Sequence, residues 1–306
     1  MTAPQQQSLL PVLPDSAALA ERPTRLAQAE IEYAPAREIL TRATGFMDAY
    51  DFTLNPYAGC AFGCTYCYAA FFSRSPDERD RWGEWVRVKE NAVCLLARRR
   101  KGSLDGKLVY MSSVTDPYQP VERKLRLTRG LLEVLAESHQ PKLVVQTRSP
   151  DVVRDVDLFA AIAARGGRVQ VNVTVTTDDE DVRRAFEPAC PSNGNRLDAA
   201  RKLISEGIDT CVTLTPLLLV QAAEAFAEAL LKTGVREFIV QPFHFQRGKF
   251  VAGTRDEAFG IMAAKLACDV DTFQNEYLAH YRDVRDVLRR RLPRLGEGKE
   301  GFRPPF

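Results

Sequence analysis

Short runs of strand-forming residues alternate with amphipathic helical segments over most of the chain. The predicted strands lead into six loops, which follow Leu54, Met111, Thr147, Thr176, Leu214 and Val240. Each is followed by a stretch with apolar residues at helical spacing, the first of them predicted over residues 78–100. Such a repeat requires parallel strands joined by right-handed crossovers. The sequence therefore predicts an α/β fold, a partial (βα)6 TIM-like barrel of parallel strands.

The two ends of the chain differ from this alternating region. Residues 1–30 contain Pro4, Pro11, Pro14 and Pro23 and read as a flexible N-terminal arm. Residues 31–250 would form the partial barrel. Residues 251–306 carry long helical patterns and are predicted to be a C-terminal helical extension that helps to close the site.

Composition excludes several classes of protein. Of the 306 residues, 45% are hydrophobic and 27% are charged, which is typical of a globular protein and not of a disordered one. The net charge of +2 supplies no strong global attraction to nucleic acid or to a membrane surface. No apolar run reaches the ~18 residues of a membrane span, and residues 1–30 lack the features of a secretory signal. We expect a cytoplasmic protein with no membrane partner.

Three of the seven cysteines lie close together in the loop after the first predicted strand. Cys60, Cys64 and Cys67 are separated by three and then two residues, and Gly59 and Gly63 allow the loop to wrap closely. A structural zinc site takes four ligands, and no fourth Cys or His lies nearby. Three thiolates on a four-iron cluster leave one iron free to bind another molecule. The pattern favours an iron–sulfur cluster; zinc, or three buried cysteines that bind nothing, are the alternatives.

Polar residues lie at or after the ends of the next three predicted strands, where the chemistry of such folds gathers. Ser113 and Asp116 follow the second strand, and Arg148 follows the third. Asn172 and Thr174 share one face of the fourth strand because strand side chains alternate. Four of these residues have a structural alternative: Asp116 as a turn residue, Arg148 in a surface ion pair, and Asn172 and Thr174 as a hydrogen-bonded pair within the sheet.

The cysteine loop resembles the signature of the radical S-adenosylmethionine (radical SAM) superfamily, through Cys60-x-x-x-Cys64-x-Tyr66-Cys67. The wider context, Asn-Pro-Tyr-x-Gly-Cys…Gly-Cys-x-Tyr-Cys-Tyr-Ala, is similar to the branch of spore photoproduct lyase and DNA repair photolyase-like proteins. The resemblance covers about residues 50–215. Further segments that agree with the branch are 113–122, 127–129, 146–149, 154–155, 187–188 and 196–197.

The resemblance implies a [4Fe–4S] cluster held by Cys60, Cys64 and Cys67, which makes them both metal ligands and catalytic residues. The free iron would chelate the amino and carboxylate groups of SAM. One electron would cleave SAM reductively to methionine and a 5′-deoxyadenosyl radical, which abstracts hydrogen from an unactivated C–H bond. The cofactor carries this chemistry, and the protein orients it. A reductase, flavodoxin or ferredoxin would donate the electron.

The same resemblance implies cofactor-binding roles for residues in the other loops. Tyr66 would contact the adenine, with packing inside the loop as its alternative. Arg148 would pair with the cofactor carboxylate, for which a guanidinium offers a bidentate fork. Asn172 and Thr174 would hydrogen-bond the methionine or the ribose. Ser113 and Asp116 complete the predicted set of cofactor-binding residues.

The substrate is less constrained. Spore photoproduct lyase returns a hydrogen atom from a cysteine after its second strand, and the matching residues 110–116 contain no cysteine. This argues against thymine-dimer repair by that route, since a hydroxyl O–H bond is too strong to replace a thiol. Cys190, after the fourth strand, is the extra cysteine that we single out as a candidate hydrogen-atom donor.

Some relatives in this branch resemble enzymes that modify ribosomal precursor peptides. They include spliceases that excise a tyramine unit by C–C and C–N scission, and they need a small partner that binds the leader peptide. We rank such lyase-type peptide modification slightly above repair of nucleic-acid lesions. A non-enzymatic iron–sulfur or zinc protein is the alternative from another class.

Overall fold

A computed structural model of the chain describes residues 22–246 and 253–306. Most of the predicted N-terminal arm, residues 1–21, lies outside the described residues, as do residues 247–252 around the predicted boundary at 250. The described part of the arm contains a strand at Arg25–Leu26 and the start of the strand Ala29–Ala34, so the predicted boundary at residue 30 falls inside that second strand. In the ranges described, no helix combines the length and the apolar character needed to cross a membrane.

Strands and helices alternate along most of the described chain. In chain order, the strands are β1 Arg25–Leu26, β2 Ala29–Ala34, β3 Leu40–Arg42, β4 Phe52–Leu54, β5 Tyr57–Gly59, β6 Trp85–Lys89, β7 Leu108–Met111, β8 Lys142–Thr147, β9 Arg168–Thr174, β10 Asp209–Leu214, β11 Glu237–Val240 and β12 Arg294–Glu297. The α-helices are α1 Pro76–Asp80, α2 Ala92–Ala97, α3 Glu122–Leu125, α4 Leu127–Ser138, α5 Val156–Ala164, α6 Glu180–Phe186, α7 Asn193–Ser205, α8 Ala223–Leu231, α9 Asp256–Leu266, α10 Phe273–Arg291 and α11 Gly298–Gly301. Short 3₁₀ helices span Gly45–Met47, Tyr68–Phe72 and Pro150–Asp155.

The larger sheet has eight strands in the order β12-β11-β10-β9-β8-β7-β4-β3. Its six central strands, β4 and β7 to β11, pair in parallel and are the six strands that the sequence predicts. The partial barrel of the predicted α/β fold is thus confirmed. An antiparallel strand β3 adds one edge and the parallel strand β12 adds the other. The sequence pattern predicts neither edge strand, because strands of three or four half-exposed residues carry little periodicity.

A second sheet has four strands in the order β1-β2-β6-β5. One of its strands lies where the sequence predicts a helix. The helix predicted over residues 78–100 is wrong: α1 ends at Asp80, β6 follows, and α2 begins at Ala92. Strand β6 is hydrogen-bonded to β2 on one side and to β5 on the other. In β6, Val86 and Val88 alternate with Arg87 and Lys89 over only five residues, while Trp82, Val93 and Leu96 on either side continue a helical spacing across it.

The two faces of the larger sheet differ in chemistry because strand side chains alternate. One face carries valine, leucine and methionine side chains that pack against α4, α5, α7 and α8 in the main hydrophobic core. The opposite face is polar: Gln146 on β8 accepts a 2.8 Å hydrogen bond from Tyr110 and donates to Thr174 at 2.7 Å and Thr213 at 2.9 Å. Polar side chains of neighbouring strands therefore meet inside the partial barrel.

The C-terminal segment packs over the end of the sheet where the cysteine loop lies. Helices α9 and α10 contribute Met262, Phe273 and Tyr277 to a second hydrophobic cluster, which also contains Cys60 and Cys64. The predicted helices of the extension are present, and β12 ties its end to the larger sheet beside β11. The extension thus covers one side of the cysteine loop with buried apolar surface.

Candidate functional site

The cysteine loop begins at the end of β5 and is shaped by two glycines. Gly59 has φ +75°, and a Cβ built on it would lie 2.5 Å from the carbonyl oxygen of Trp85. Gly63 has φ +57°, and its Cβ would lie 3.2 Å from the Cα of Gly83. Both φ values lie in the left-handed region that glycine adopts at little cost. The loop can therefore press against β6 and the turn before it only with glycine at these positions.

Tight turns inside this loop place the three cysteines on one compact segment. The amide of Gly63 donates to the carbonyl of Cys60 at 3.2 Å, and the amide of Cys67 donates to that of Cys64 at 3.1 Å. Cys60 and Cys64 are buried and Cys67 is half-buried, all as free thiols.

No three His, Cys, Asp or Glu side chains of the described ranges converge where one metal ion could sit. A four-iron cluster does not need such convergence, because each thiolate binds a different iron. The donor set and the loop fit a cluster of this kind.

The three thiols have different proton affinities. Burial raises the pKa of Cys60, and burial raises that of Cys67 to about 11. A hydrogen bond from Cys190 lowers the pKa of Cys64. The Cys64 sulfur is therefore the one that this structure most favours as a thiolate.

Glu187, which follows α6, accepts hydrogen bonds at the centre of the site. Tyr66 and Arg196 donate to its carboxylate, and Thr176 donates at 2.8 Å. The guanidinium of Arg148 lies 3.8 Å from the same carboxylate and donates to the Tyr66 hydroxyl at 3.1 Å. We call Tyr66, Arg148, Glu187 and Arg196 the site cluster. It joins the cysteine loop to the end of β8 and to the start of α7.

The charges of the site cluster do not balance. Burial would raise the pKa of Glu187, but the guanidinium groups of Arg196 and Arg148 outweigh it and hold this pKa at about 2. Within these four residues two guanidinium groups thus face one carboxylate, since the nearby Asp116 carboxylate hydrogen-bonds the Arg148 amide and not its guanidinium. Among the described residues, the buried Nε of Arg148 has no hydrogen-bond partner. Since a buried N–H donor without an acceptor is costly, an acceptor such as an anionic group is expected beside the Nε of Arg148.

Two of the predicted cofactor-binding residues lie in this cluster. Arg148 is only 19% exposed and lies over the Tyr66 ring at 5.6 Å, so it is not the surface ion pair of the alternative interpretation. The Tyr66 ring also packs near Phe243. Burial raises the pKa of the Tyr66 phenol well above its usual value, which keeps it protonated as a donor.

Asp116 is buried and holds the chain around Arg148 in place. Its carboxylate accepts from the Arg148 amide at 2.8 Å, the Thr147 hydroxyl at 2.7 Å and the Tyr118 amide at 2.9 Å. Burial raises its pKa. The structure thus gives Asp116 the turn role of the alternative interpretation. In addition, its carboxylate positions the backbone of Arg148.

The remaining predicted residues lie on the polar face or beside it. Thr174 bonds Gln146 and Thr213, while Asn172 accepts from Gln170 at 2.9 Å, so both belong to the hydrogen-bonded set inside the barrel. Their predicted contact with the cofactor stays a prediction. The Ser113 hydroxyl accepts from Asn55 at 3.3 Å, and its carbonyl accepts from the hydroxyl of Tyr68, next to the last cysteine.

Sequence reasoning missed three residues of the site: Gln146, Glu187 and Arg196. Glu187 and Arg196 lie in segments that agree with the resembled branch, but no local pattern assigns them a role. Glu187 is 121 residues from Tyr66 and nine from Arg196. A cavity of about 280 Å³ opens beside the site, lined in part by Phe62, Cys190 and Asn195.

Comparison with known proteins identifies the family. The sequence profile of the radical SAM superfamily matches residues 54–232, more than half of the chain, which therefore belongs to this superfamily. The predicted superfamily is confirmed, and with it the cofactor pair of a [4Fe–4S] cluster and SAM. Membership of this superfamily of enzymes favours an enzymatic role over the non-enzymatic alternative.

Its curated relatives are uncharacterized. One from Methanocaldococcus jannaschii is 34% identical over 167 residues, which cover 55% of this chain and 60% of the relative. One from Mycobacterium tuberculosis is 30% identical over 174 residues, 55% of this chain and 50% of the relative. The chain thus matches about half to three fifths of the length of these relatives.

Solved structures of spore photoproduct lyase share the fold. The enzyme complexed with dinucleoside spore photoproduct aligns with TM-score 0.53 and 14% identity over 87% of this chain and 81% of that one. A double mutant of the same enzyme, with bound AdoMet and dinucleoside spore photoproduct, gives TM-score 0.54 at 14% identity and the same coverage. At this identity the likeness establishes the fold alone.

Proposed function

We propose that Cys60, Cys64 and Cys67 hold the [4Fe–4S] cluster and that SAM binds between this loop and Arg148. The observation that carries the proposal is the meeting of the three-cysteine loop with a buried guanidinium Nε that has no partner among the described residues. An anionic cluster and the carboxylate of SAM would offset the excess charge of the site cluster. When bound, the cluster and SAM supply the electron and the 5′-deoxyadenosyl radical that abstracts hydrogen from the substrate.

The residues of this chain would bind and orient the cofactor. Arg148 presents its guanidinium to the SAM carboxylate, a pairing strengthened by its low exposure. Asp116 holds the backbone amide of Arg148, and Glu187 holds the Tyr66 hydroxyl. Phe243, buried beside Tyr66 and Phe186, helps to exclude water from this side of the site. Tyr66 would contact the adenine, and Ser113, Asn172 and Thr174 are further candidates for contacts to the cofactor.

For the substrate we propose a peptide, modified by lyase-type fragmentation of C–C and C–N bonds. Two features support this choice: residues 110–116 contain no cysteine that could return hydrogen to a repaired base, and the net charge is only +2. A ribosomal precursor peptide presented by a small leader-binding partner would fit a tyramine-excising reaction. The electron donor would be a flavodoxin, a ferredoxin or a reductase.

Repair of a nucleic-acid lesion is the second candidate. The supporting observation is the fold likeness to spore photoproduct lyase over 87% of this chain. Arg123 lines the cavity beside Cys190, but its guanidinium pairs with Asp151 of the same cavity and so adds no support for a phosphate contact.

The test is an anaerobic assay of the reconstituted protein with dithionite and SAM. We expect about four irons per chain and formation of 5′-deoxyadenosine. Cys64→Ala should lose both, with product formation at least about 100-fold lower. Cys94→Ala on α2, away from the loop, is the matched control and should keep both. Iron-loaded protein that forms no 5′-deoxyadenosine would contradict the proposal.

The two substrate classes are separated by isotope transfer. Peptides and lesion-bearing oligonucleotides, each deuterated at carbon, are offered to the same enzyme. Deuterium in 5′-deoxyadenosine from peptides alone supports the peptide substrate. Transfer from oligonucleotides alone would replace it with lesion repair.

A further inference from the structure

A fourth cysteine lies against the cysteine loop. The Sγ of Cys190 is 3.6 Å from the Sγ of Cys64, although the two residues are 126 positions apart. Both side chains are buried, at 7% and 4% exposure. Cys190 lies between α6 and α7, and it follows Glu187 of the site cluster by three residues.

The segment that carries Cys190 is held from several directions. Its amide donates to the carbonyl of Glu187 at 3.1 Å, and its carbonyl accepts from Arg183 at 2.8 Å. The next carbonyl, that of Pro191, accepts from the Nε of Arg196 at 3.0 Å. Buried guanidinium groups thus fix the backbone on both sides of the thiol. The short distance between Cys190 and Cys64 therefore follows from the fixed backbone of the segment between α6 and α7.

We propose that Cys190 is a positioning residue that donates an S–H hydrogen bond to the ligand sulfur of Cys64 and so raises the reduction potential of the cluster. The inference rests on the proposed function, in which Cys64 is a cluster ligand. A ligand sulfur is a thiolate and can only accept, whereas a cysteine outside the three-ligand set keeps its proton and can donate.

The physical reason for the effect is electrostatic. Reduction adds a negative charge to the cluster, and part of that charge resides on the ligand sulfurs. A donor aimed at one sulfur stabilises the reduced form more than the oxidised form, and hydrogen bonds to the sulfurs are among the factors that set cluster potentials. Burial strengthens the effect, because the local dielectric is low. The thiol would thereby ease delivery of the electron on which SAM cleavage depends.

The test is a spectroscopic redox titration of the iron-loaded protein without substrate. Cys190→Ala removes the donor, and Cys190→Ser keeps an O–H donor at the same place. At a fixed solution potential, we expect the ratio of reduced to oxidised cluster to fall about threefold to tenfold in Cys190→Ala, where tenfold corresponds to ~59 mV for one electron. Cys190→Ser should stay within about twofold of the parent. Cys94→Ala should not differ from the parent.

Two results would overturn the inference. The first is a Cys190→Ala protein with full iron content and an unchanged potential. The second is a Cys64→Ala protein that keeps four irons and loses them when Cys190 is also changed, since Cys190 would then be a ligand. If Cys190→Ala fails to take up iron, Cys190→Val, which fills more of the thiol's space without a donor, repeats the comparison with Cys190→Ser. Failure of the proposed function is distinguished in the parent protein, which would then bind no four-iron cluster or would bind it and form no 5′-deoxyadenosine, whereas failure of this inference leaves both intact.

Discussion

Buried carboxylates form ion pairs with arginines in two regions of the molecule. One is the site cluster, and the other follows the loop after β7. There Glu122 and Asp155 face Arg129 and Arg154, a group that we call the scaffold cluster. Arg154 donates to both carboxylates at 2.8 Å, and Arg129 donates to Asp155 at 2.9 Å. Two guanidinium groups thus face two buried carboxylates, and Arg129 also pairs with the more exposed Asp157 and Glu133, so no positive charge of this cluster is in excess.

The comparison shows how a binding site differs from a structural one with the same residue types. The scaffold cluster ties α3, α4 and the 3₁₀ helix at 150–155 together, and Glu122 also accepts from the amide of Thr128 at 3.0 Å. In the site cluster the single carboxylate of Glu187 faces two cations, and the Nε of Arg148 lacks a partner among the described residues. The unbalanced charge marks the place where an anionic ligand is expected.

The two carboxyl groups also differ in acidity. Burial raises the pKa of Glu122, although Thr128, Tyr57 and Arg154 oppose it. For Glu187 burial is the largest single influence, yet Arg196 and Arg148 together bring its pKa down to about 2. The excess cation at the site therefore makes Glu187 the stronger acid, although both carboxylates are buried.

The largest effect should come from Glu187→Gln, which leaves two guanidinium groups without their carboxylate. We expect the free energy of unfolding at pH 7 to fall by about 3–5 kcal/mol, the usual cost of breaking a buried ion pair. Because the folded-state pKa of Glu187 lies below its unfolded value, its contribution is present above about pH 4.5 and is lost as the pH falls toward about 2.

Denaturant unfolding measured from pH 7 to pH 2.5 checks this prediction. In the parent, protonation of Glu187 should account for about 3 kcal/mol of the acid-induced loss of stability. This part should be missing from Glu187→Gln. Glu122→Gln is the control and should retain that loss, because the pKa of Glu122 is raised and not lowered. Equal pH profiles for the parent and Glu187→Gln would contradict the charge distribution described for the site cluster.

The next effect concerns SAM binding and distinguishes the role of the site cluster from that of the scaffold cluster. Arg148→Gln removes the excess cation, so we expect the cluster-loaded protein to bind SAM about 10- to 100-fold more weakly, as a lost charge-assisted hydrogen bond implies. Its free energy of unfolding should change by less than about 1 kcal/mol, because the glutamine relieves an uncompensated charge.

Arg154→Gln, the matched change in the scaffold cluster, should give the reverse result. It leaves Glu122 without a guanidinium partner and Asp155 with Arg129 alone, so it should lower the free energy of unfolding by about 2–4 kcal/mol with SAM affinity within about twofold. Calorimetric SAM binding and denaturant unfolding measure both proteins. The distinction between the clusters fails if Arg154→Gln weakens SAM binding as much as Arg148→Gln does.

The smallest effect tests the cysteine loop itself. Gly63→Ala places a Cβ at φ +57° and 3.2 Å from the Cα of Gly83. We expect a loss of about 1–2 kcal/mol in the free energy of unfolding from the left-handed backbone, together with lower iron content after reconstitution. Gly45→Ala has a similar φ, +63°, with no described atom within 4 Å of the added Cβ, and should show the backbone cost with normal iron content.

Much of the fold follows from local patterns. The six parallel strands are apolar runs bounded by helical segments, and both helices of the extension show helical spacing over more than ten residues. Strand β6 is an exception, because its alternation of valine with arginine and lysine spans only five residues and the apolar residues on either side continue a helical spacing. Strands β3 and β12 are too short to produce a pattern.

The site could be predicted only in part. The cysteine spacing and glycines lie within one short loop, so local sequence indicates a cluster. Arg148 and Asp116 could be placed at strand ends by the geometry of parallel sheets. Nothing local distinguishes the aspartate that holds a backbone amide from one that contacts a ligand, because the difference depends on which donors lie around it.

The sequence by itself determined the parallel α/β core, the loop that carries three thiols and the superfamily that this loop indicates. These features depend on periodicity and spacing, which are properties of neighbouring residues. Only the tertiary structure decided that Glu187 and Arg196 join Tyr66 and Arg148, and that Cys190 reaches Cys64. Electrostatic pairing and thiol contacts act through space and impose no period on the chain, so they become visible only when distant segments are brought together.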